Sequence, residues 1–150
     1  SEVNKNIVKS FHYSSKAAEN GITDSKIRLF MMNYKGIGIP QDYEKALNWA
    51  KSICNDGKTE YCHNVGFFYE DDDMGIKKNL VEAIKWYAKA AERGFATSQE
   101  RLGNLYLKED SIHDIKKSIF WYNKAAEQGN ESAKKMMKLF IEKGILKARD

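Results

Sequence analysis

One block of residues occurs four times, and that repetition constrains the fold more than any single residue does. Residues 81–94 read VEAIKWYAKAAERG, residues 118–129 SIFWYNKAAEQG, residues 46–57 ALNWAKSICNDG and residues 10–21 SFHYSSKAAENG. Tyr13 stands in the fourth where the others carry Trp49, Trp86 and Trp121. The closing glycines, Gly21, Gly57, Gly94 and Gly129, are 36, 37 and 35 residues apart. A period near this value in a helical pattern denotes a solenoid of stacked helix pairs, because one pair alone cannot bury its apolar face.

Each unit is read as a helix A starting shortly after its glycine, a loop, and a helix B ending at the next glycine. In the third copy of the block, Val81, Ile84, Tyr87, Ala88 and Ala91 fall at three- and four-residue steps and predict an apolar stripe, with Lys85, Lys89 and Glu92 off it. The glycine that follows suits a left-handed helix terminus. The three tryptophans share one repeat position and are expected to wedge between neighbouring helices. On helix A, Leu29, Val65, Leu102 and Met137 lie eight residues past each glycine and are predicted core. The next position holds Phe30, Gly66, Gly103 and Lys138. A glycine inside a helix costs about 1 kcal/mol relative to alanine, which is understandable where helix B crosses at close range.

The A-to-B loops differ. Residues 34–42 (YKGIGIPQD) contain two glycines and Pro40 to end helix A. Asp71, Asp72 and Asp73 precede Gly75, but the alternating acids and distal glutamate of a calcium loop are not matched. The third loop, residues 110–114, has no glycine. The domain reading is one solenoid domain, residues 1–150, with full repeats at about 22–57, 58–94 and 95–129. Half-repeats are expected at 5–21 and 130–150, the latter with a turn at Gly144 and the start of a last helix B.

Composition narrows the function. Net charge is +4, from 25 basic and 21 acidic residues interleaved along the chain. No clustered basic face marks a nucleic-acid partner, and no apolar run has the length for membrane insertion. The lysines at 134, 135, 138, 143 and 147 read as a solvated last helix. His12, His63 and His113 lie in separate repeats, and no nucleophile–base motif or zinc-ligand spacing accompanies them or the serines Ser14, Ser15 and Ser52. A non-enzymatic chain without metal or cofactor is the expectation.

The residues GIGIPQDYEKALNW (36–49), WYAKAAERG (86–94) and RLGNLY (101–106) resemble the Sel-1-like repeat (SLR), a relative of the tetratricopeptide repeat. The resemblance spans nearly the whole chain. It implies an all-α, right-handed α-solenoid of antiparallel helix pairs with a concave face for a protein or peptide. Asn33 for the usual tyrosine, Phe30 for glycine and the glycine-free third loop depart from the pattern.

Helix A would line that face with Asp24, Ile27, Met31 and Tyr34; Glu60, His63, Phe67 and Glu70; Thr97, Glu100, Asn104 and Leu107; and Ser132, Lys135, Leu139 and Glu142. Met31 and Phe67 fall at equivalent positions, as do Tyr34 and Glu70. Apolar side chains rimmed by acids would make a groove; alternatively Met31 and Phe67 pack on each other as core.

Cys54 and Cys62 have two readings from their positions: a bridge between adjacent helix ends, or two reduced apolar thiols. Their placement also resembles that in the cysteine-rich SLR proteins of Helicobacter, where such a pair bridges adjacent helices. That resemblance implies a Cys54–Cys62 disulfide and an oxidising compartment, periplasmic or secreted with a signal peptide removed. The cytoplasm is the alternative if the thiols are reduced. The functional expectation is an interaction scaffold of the bacterial envelope, monomeric or weakly oligomeric. An immunity or inhibitor protein against a toxin delivered to the periplasm is one alternative; a β-lactamase or penicillin-binding activity, carried by the cysteine-rich relatives alone, is the other.

Overall fold

The structure is a computed structural model that describes residues 1–148. The described residues form eight α-helices and one short 3-10 turn, with no strand. In order these are α1 (Glu2–Glu19), α2 (Thr23–Lys35), α3 (Tyr43–Asn55), α4 (Thr59–Glu70), α5 (Leu80–Glu92), α6 (Ala96–Lys108), the turn Asp110–Ile112, α7 (Ile115–Glu127) and α8 (Glu131–Glu142). The all-α solenoid class implied by the repeat is thus what the chain adopts. It falls into two compact units, Ser1–Ala83 and Ile84–Asp150.

In both units a helix B ends the same way. Gly57 and Gly129 sit at φ 101° and 94°. Gly57 N–H donates to Cys54 O at 2.9 Å and Gly129 N–H to Ala126 O at 2.9 Å, while the residue after each glycine bonds one position further back. This closes the last carbonyls of the helix, and the left-handed φ is open to glycine without a Cβ penalty.

Helix B also starts the same way each time. Asp42, Asn79 and Asp114 each stand fifteen residues before a closing glycine. Their side chains cap the helix, accepting from Lys45 N at 3.0 Å, Glu82 N at 3.1 Å and Lys117 N at 3.1 Å. Their own backbone N–H groups reach back to helix A, donating to Asn33 O, Tyr69 O and Tyr106 O at 2.8, 2.9 and 2.9 Å. One backbone latch therefore closes three loops of different composition. In the acidic loop, Asp71 and Asp72 carboxylates accept from Asp73 N and Lys78 N, so both serve the turn itself.

In the first unit Ala18, Leu29 and Met32 form a buried cluster on which Ile7, Phe11, Ile39 and Trp49 pack. Trp49 thus wedges onto α1 and α2 as expected. In the second unit Tyr122, Ala125, Ala133 and Phe140 form the core, joined by Leu107, Ile119 and Leu146. Of the predicted core positions Leu29, Val65 and Leu102 are buried, whereas Met137 is half-buried. Gly103 is placed as its position predicts. A Cβ on it would lie 2.8 Å from the Tyr122 ring of α7.

Two expectations need correction. The stripe of α5 holds at Tyr87 and Ala91, which are buried, and at Ile84 and Ala88, which are half-buried, but Val81 is 72% exposed and Ala83, Trp86 and Ala90 are buried in addition. Val81 lies in the first turn of the helix, and the small residues face the neighbouring helices instead. Lys89 Nζ covers Trp86 from 4.3 Å, so a residue read as lying off the stripe shields its largest member. The last helix B does not begin within residues 145–148, which are not helical. Ile145 and Leu146 N–H groups both donate to Phe140 O, and Leu146 packs on the core, which folds these two residues back over α8. Residues 149 and 150 lie outside the described residues.

Candidate functional site

The first unit contains a platform of aromatic rings. Phe30 stacks on Tyr34 with centroids 5.5 Å apart and meets Tyr61 edge-on at 5.2 Å. Tyr34 meets Tyr43 at 5.5 Å and Phe68 at 6.0 Å, and Tyr43 meets Phe68 at 6.3 Å. Such pairs contribute about 0.5–1.5 kcal/mol each beyond area burial. Burial raises the pKa of the Tyr61 hydroxyl, with Glu60 adding to it, so Tyr61 stays neutral at any ordinary pH. Phe30 joins the two sides of the platform, touching Tyr34 of its own helix and Tyr61 of α4.

On this floor lies a depression of about 170 Å³, lined by Phe30, Met31, Tyr34, Lys35, Asn64, Phe67 and Phe68. It brings together three of the predicted partner-binding residues, Met31, Tyr34 and Phe67. Met31 and Tyr34 are half-buried and Phe67 is 37% exposed. Met31 also borders a second depression of about 240 Å³, shared with Ile7, Ser10, Arg28, Met32 and Ile37. Both are smaller than the roughly 300–1,000 Å³ of small-molecule pockets. They suit single side chains of a partner.

The other predicted residues are placed differently. Ile27, His63 and Glu70 are half-buried and Glu60 is exposed, and none of them lines either depression. The rim is basic, through Arg28 and Lys35, where acids were expected. In the second unit Asn104 accepts a hydrogen bond from the Tyr122 hydroxyl, and Glu100 accepts one from Asn130 Nδ2 at 2.7 Å. Leu107 packs against the Tyr122 core and Lys135 is exposed. The polar residues of α6 thus tie helices of their own chain. Arg28, Lys35, Asn64 and Ile37 were not singled out from the sequence. The spacing of Arg28, Met31 and Lys35, three and four residues apart on α2, is the signal that locates them.

Cys54 and Cys62 are joined in a disulfide, with Cα atoms 4.8 Å apart. Cys62 occupies the fifth position after its glycine, which in other repeats is a clamp. Lys26 Nζ lies 2.8 Å from Asp56 Oδ2, an oxygen that also accepts from the Thr23 hydroxyl at 2.8 Å. Gln99 Oε1 accepts from Gln128 Nε2 at 2.8 Å, while its own Nε2 donates to Ala91 O. The Lys26 and Thr23 hydrogen bonds hold the Asp56 carboxyl below the usual carboxylate range. In the second repeat Cys62 bridges back to Cys54, in the register where Gln99 bonds back to Ala91 O.

His113 Nδ1 lies 3.0 Å from Leu107 O, and Ser118 Oγ donates to Gly103 O at 2.8 Å. Among the described residues no group of His, Cys, Asp and Glu has the arrangement to hold a metal ion, and no helix is long and apolar enough to cross a membrane.

The Sel1 repeat family model matches residues 1–22, 23–58, 59–95 and 96–130. Among solved structures, the chain is similar to c5321, described as a protective antigen present in uropathogenic Escherichia coli strains displaying an SLR fold. The TM-score is 0.77 and the identity 32%, over 89% of this chain and 28% of that one. A Sel1 repeat protein from Oxalobacter formigenes gives a TM-score of 0.69 at 27% identity, over 93% of this chain and 55% of that one. Helicobacter pylori cysteine rich protein B shares the fold, with a TM-score of 0.60 at 24% identity. Among curated proteins, the DAP3-binding cell death enhancer 1 of Rattus norvegicus is 31% identical over 61% of this chain. The chitin synthase regulatory factor 3 of Schizosaccharomyces pombe is 28% identical over 70%. The chain spans 17% and 11% of the lengths of these two relatives. With the repeat model covering most of its length, the chain belongs to the Sel1 repeat family, whose members are in general scaffolds for protein–protein interaction.

Proposed function

We propose that this chain is a non-enzymatic scaffold that grips a segment of another protein on the face of α2 and α4, in an oxidising compartment outside the cytoplasm. The observation that carries the reading is the pair of small apolar depressions meeting at Met31, one of them floored by aromatic rings. A partner gains most where side chains enter desolvated pockets that are already formed. Two features lend further support. The polar residues of α6 are occupied within the chain, while Met31 and Phe67 present apolar surface. The names of the curated relatives record binding of, or regulation of, another protein. The compartment rests on the Cys54–Cys62 bridge, since disulfides persist where thiols are not kept reduced.

The test is selection of a random peptide library on the oxidised protein. Enriched peptides should lose about tenfold or more in affinity to Met31→Glu and Phe67→Glu, a difference of about 1.4 kcal/mol. Peptides that bind both variants as well as the parent would remove the site. Alkylation of the protein in extracts of its own host tests the compartment: Cys54 and Cys62 should both be protected, and two reactive thiols would place the chain in the cytoplasm.

A further inference from the structure

We infer that the segment gripped at Met31 is acidic, with an anionic group beside each of two apolar anchors. This rests on the scaffold reading above and specifies its ligand. Each depression carries its own cation. Arg28 lines the one shared with α1, and Lys35 lines the one shared with α4. Both side chains are exposed, on a single face of α2, one turn before and one turn after Met31.

Neither cation makes an ion pair among the described residues. Asp24 lies one turn before Arg28 on the same helix without closing a bridge to it, and no acidic residue lines either depression. The apolar material between the cations is Ile7, Met31, Ile37 and Phe67, of which Ile37 is 49% and Phe67 37% exposed. From position 28 to position 35 a helix rises about 10 Å, the span of roughly three residues of extended peptide. A segment laid along α2 over Met31 can therefore bring a carboxylate to each cation, with apolar side chains entering the depressions beside them. A basic segment would meet two uncompensated positive charges at the same places.

The experiment is fluorescence anisotropy with three labelled peptides that share a leucine and a phenylalanine and differ in the flanking residues: glutamate, glutamine or lysine. The glutamate peptide should bind most tightly, and its affinity should fall as salt rises, since exposed pairs are screened. The double variant Arg28→Glu/Lys35→Glu should weaken that peptide about tenfold and favour the lysine peptide, from two exposed pairs lost and two repulsions gained. Circular dichroism checks that the variant keeps its helices, and the salt series on the parent decides the question without it. If the glutamine or lysine peptide binds the parent equally well or better, and Met31→Glu abolishes that binding, the acidic preference is wrong and the scaffold reading stands. If no peptide binds, or Met31→Glu changes nothing, both fall together.

Discussion

The ring of Tyr122 lies on the backbone of Gly103, so close that a Cβ at position 103 would meet three ring carbons at 2.8–2.9 Å. Tyr122 is fully buried and its hydroxyl is held by Asn104, one residue along the same helix A. The ring has no room to retreat. Gly103→Ala should therefore destabilise the chain by about 1–3 kcal/mol, the usual range for overpacking, although alanine is the better helix former. Urea unfolding of the two proteins measures it; equal midpoints would show that the contact yields.

Burial, reinforced by Glu100, pushes the Tyr122 hydroxyl up to about 12. The unfolded tyrosine ionises near 10, so between about pH 10 and 12 the folded state holds the proton more tightly. Stability should fall as pH rises through that window. Tyr122→Phe should show a shallower alkaline decline in thermal midpoint, and its absorbance titration should lack one late-ionising phenol.

The Lys26–Asp56 clamp acts at the opposite end of the pH range. Its carboxyl titrates lower in the folded chain than in the unfolded one. The contribution is present above about pH 4 and is lost as pH falls through the lowered folded value. Asp56 is partly open to solvent, which screens the gain. Asp56→Ala should be less stable than the parent at neutral pH, with the difference shrinking below pH 4. A difference that persists unchanged in acid would assign it to packing.

Reduction of the disulfide should cost about 2–3 kcal/mol, the loop-entropy value for so short a ring. Cys54→Ala/Cys62→Ala, unfolded in urea beside the parent with and without reductant, gives the figure. Because the two cysteines lie in the first unit, the loss should appear in hydrogen exchange of α3 and α4 before α7 and α8.

Ser14 is fully buried in α1, and its hydroxyl has no hydrogen-bond partner. It stands seven residues before Gly21, the place taken by Ala50 before Gly57. Ser14→Ala should stabilise the chain by about 1 kcal/mol, since an unsatisfied buried hydroxyl is costly. A lower thermal midpoint in the variant would mean that the hydroxyl is bonded in solution.

The helix pairs were legible in the sequence because their determinants are local and repeated. Gly57 and Gly129 end helices for a conformational reason that the period alone exposes, and Gly103 announced a crossing helix. The rotation of a helix about its axis was not so legible. Val81 and Ala83 fit a three- and four-residue rhythm equally well, and only the neighbours decide which is covered. The same ambiguity governed the site. Lines through residues 27, 31 and 34 and through 28, 31 and 35 differ by a small rotation of α2. One carries Ile27 and Tyr34 and the other two cations. Met31 belongs to both, which is why it was found while Arg28 and Lys35 were missed. Asn104 and Leu107 were expected to face a partner, yet their contacts run to the chain's own α7 and α8 core, a pairing that spacing cannot disclose.

The backbone latch from Asp42, Asn79 and Asp114 to the last turn of helix A spends no side chain of the loop it closes. A glycine-proline loop, an aspartate-rich loop and a 3-10 turn all satisfy it. Apart from Ile39 and Ile76, which pack inward, what lies between the latch points is thereby released from holding the two helices together. These loops are the places where such a chain can accept insertions, exchange one surface chemistry for another and diverge from its relatives while its helix pairs stay in register.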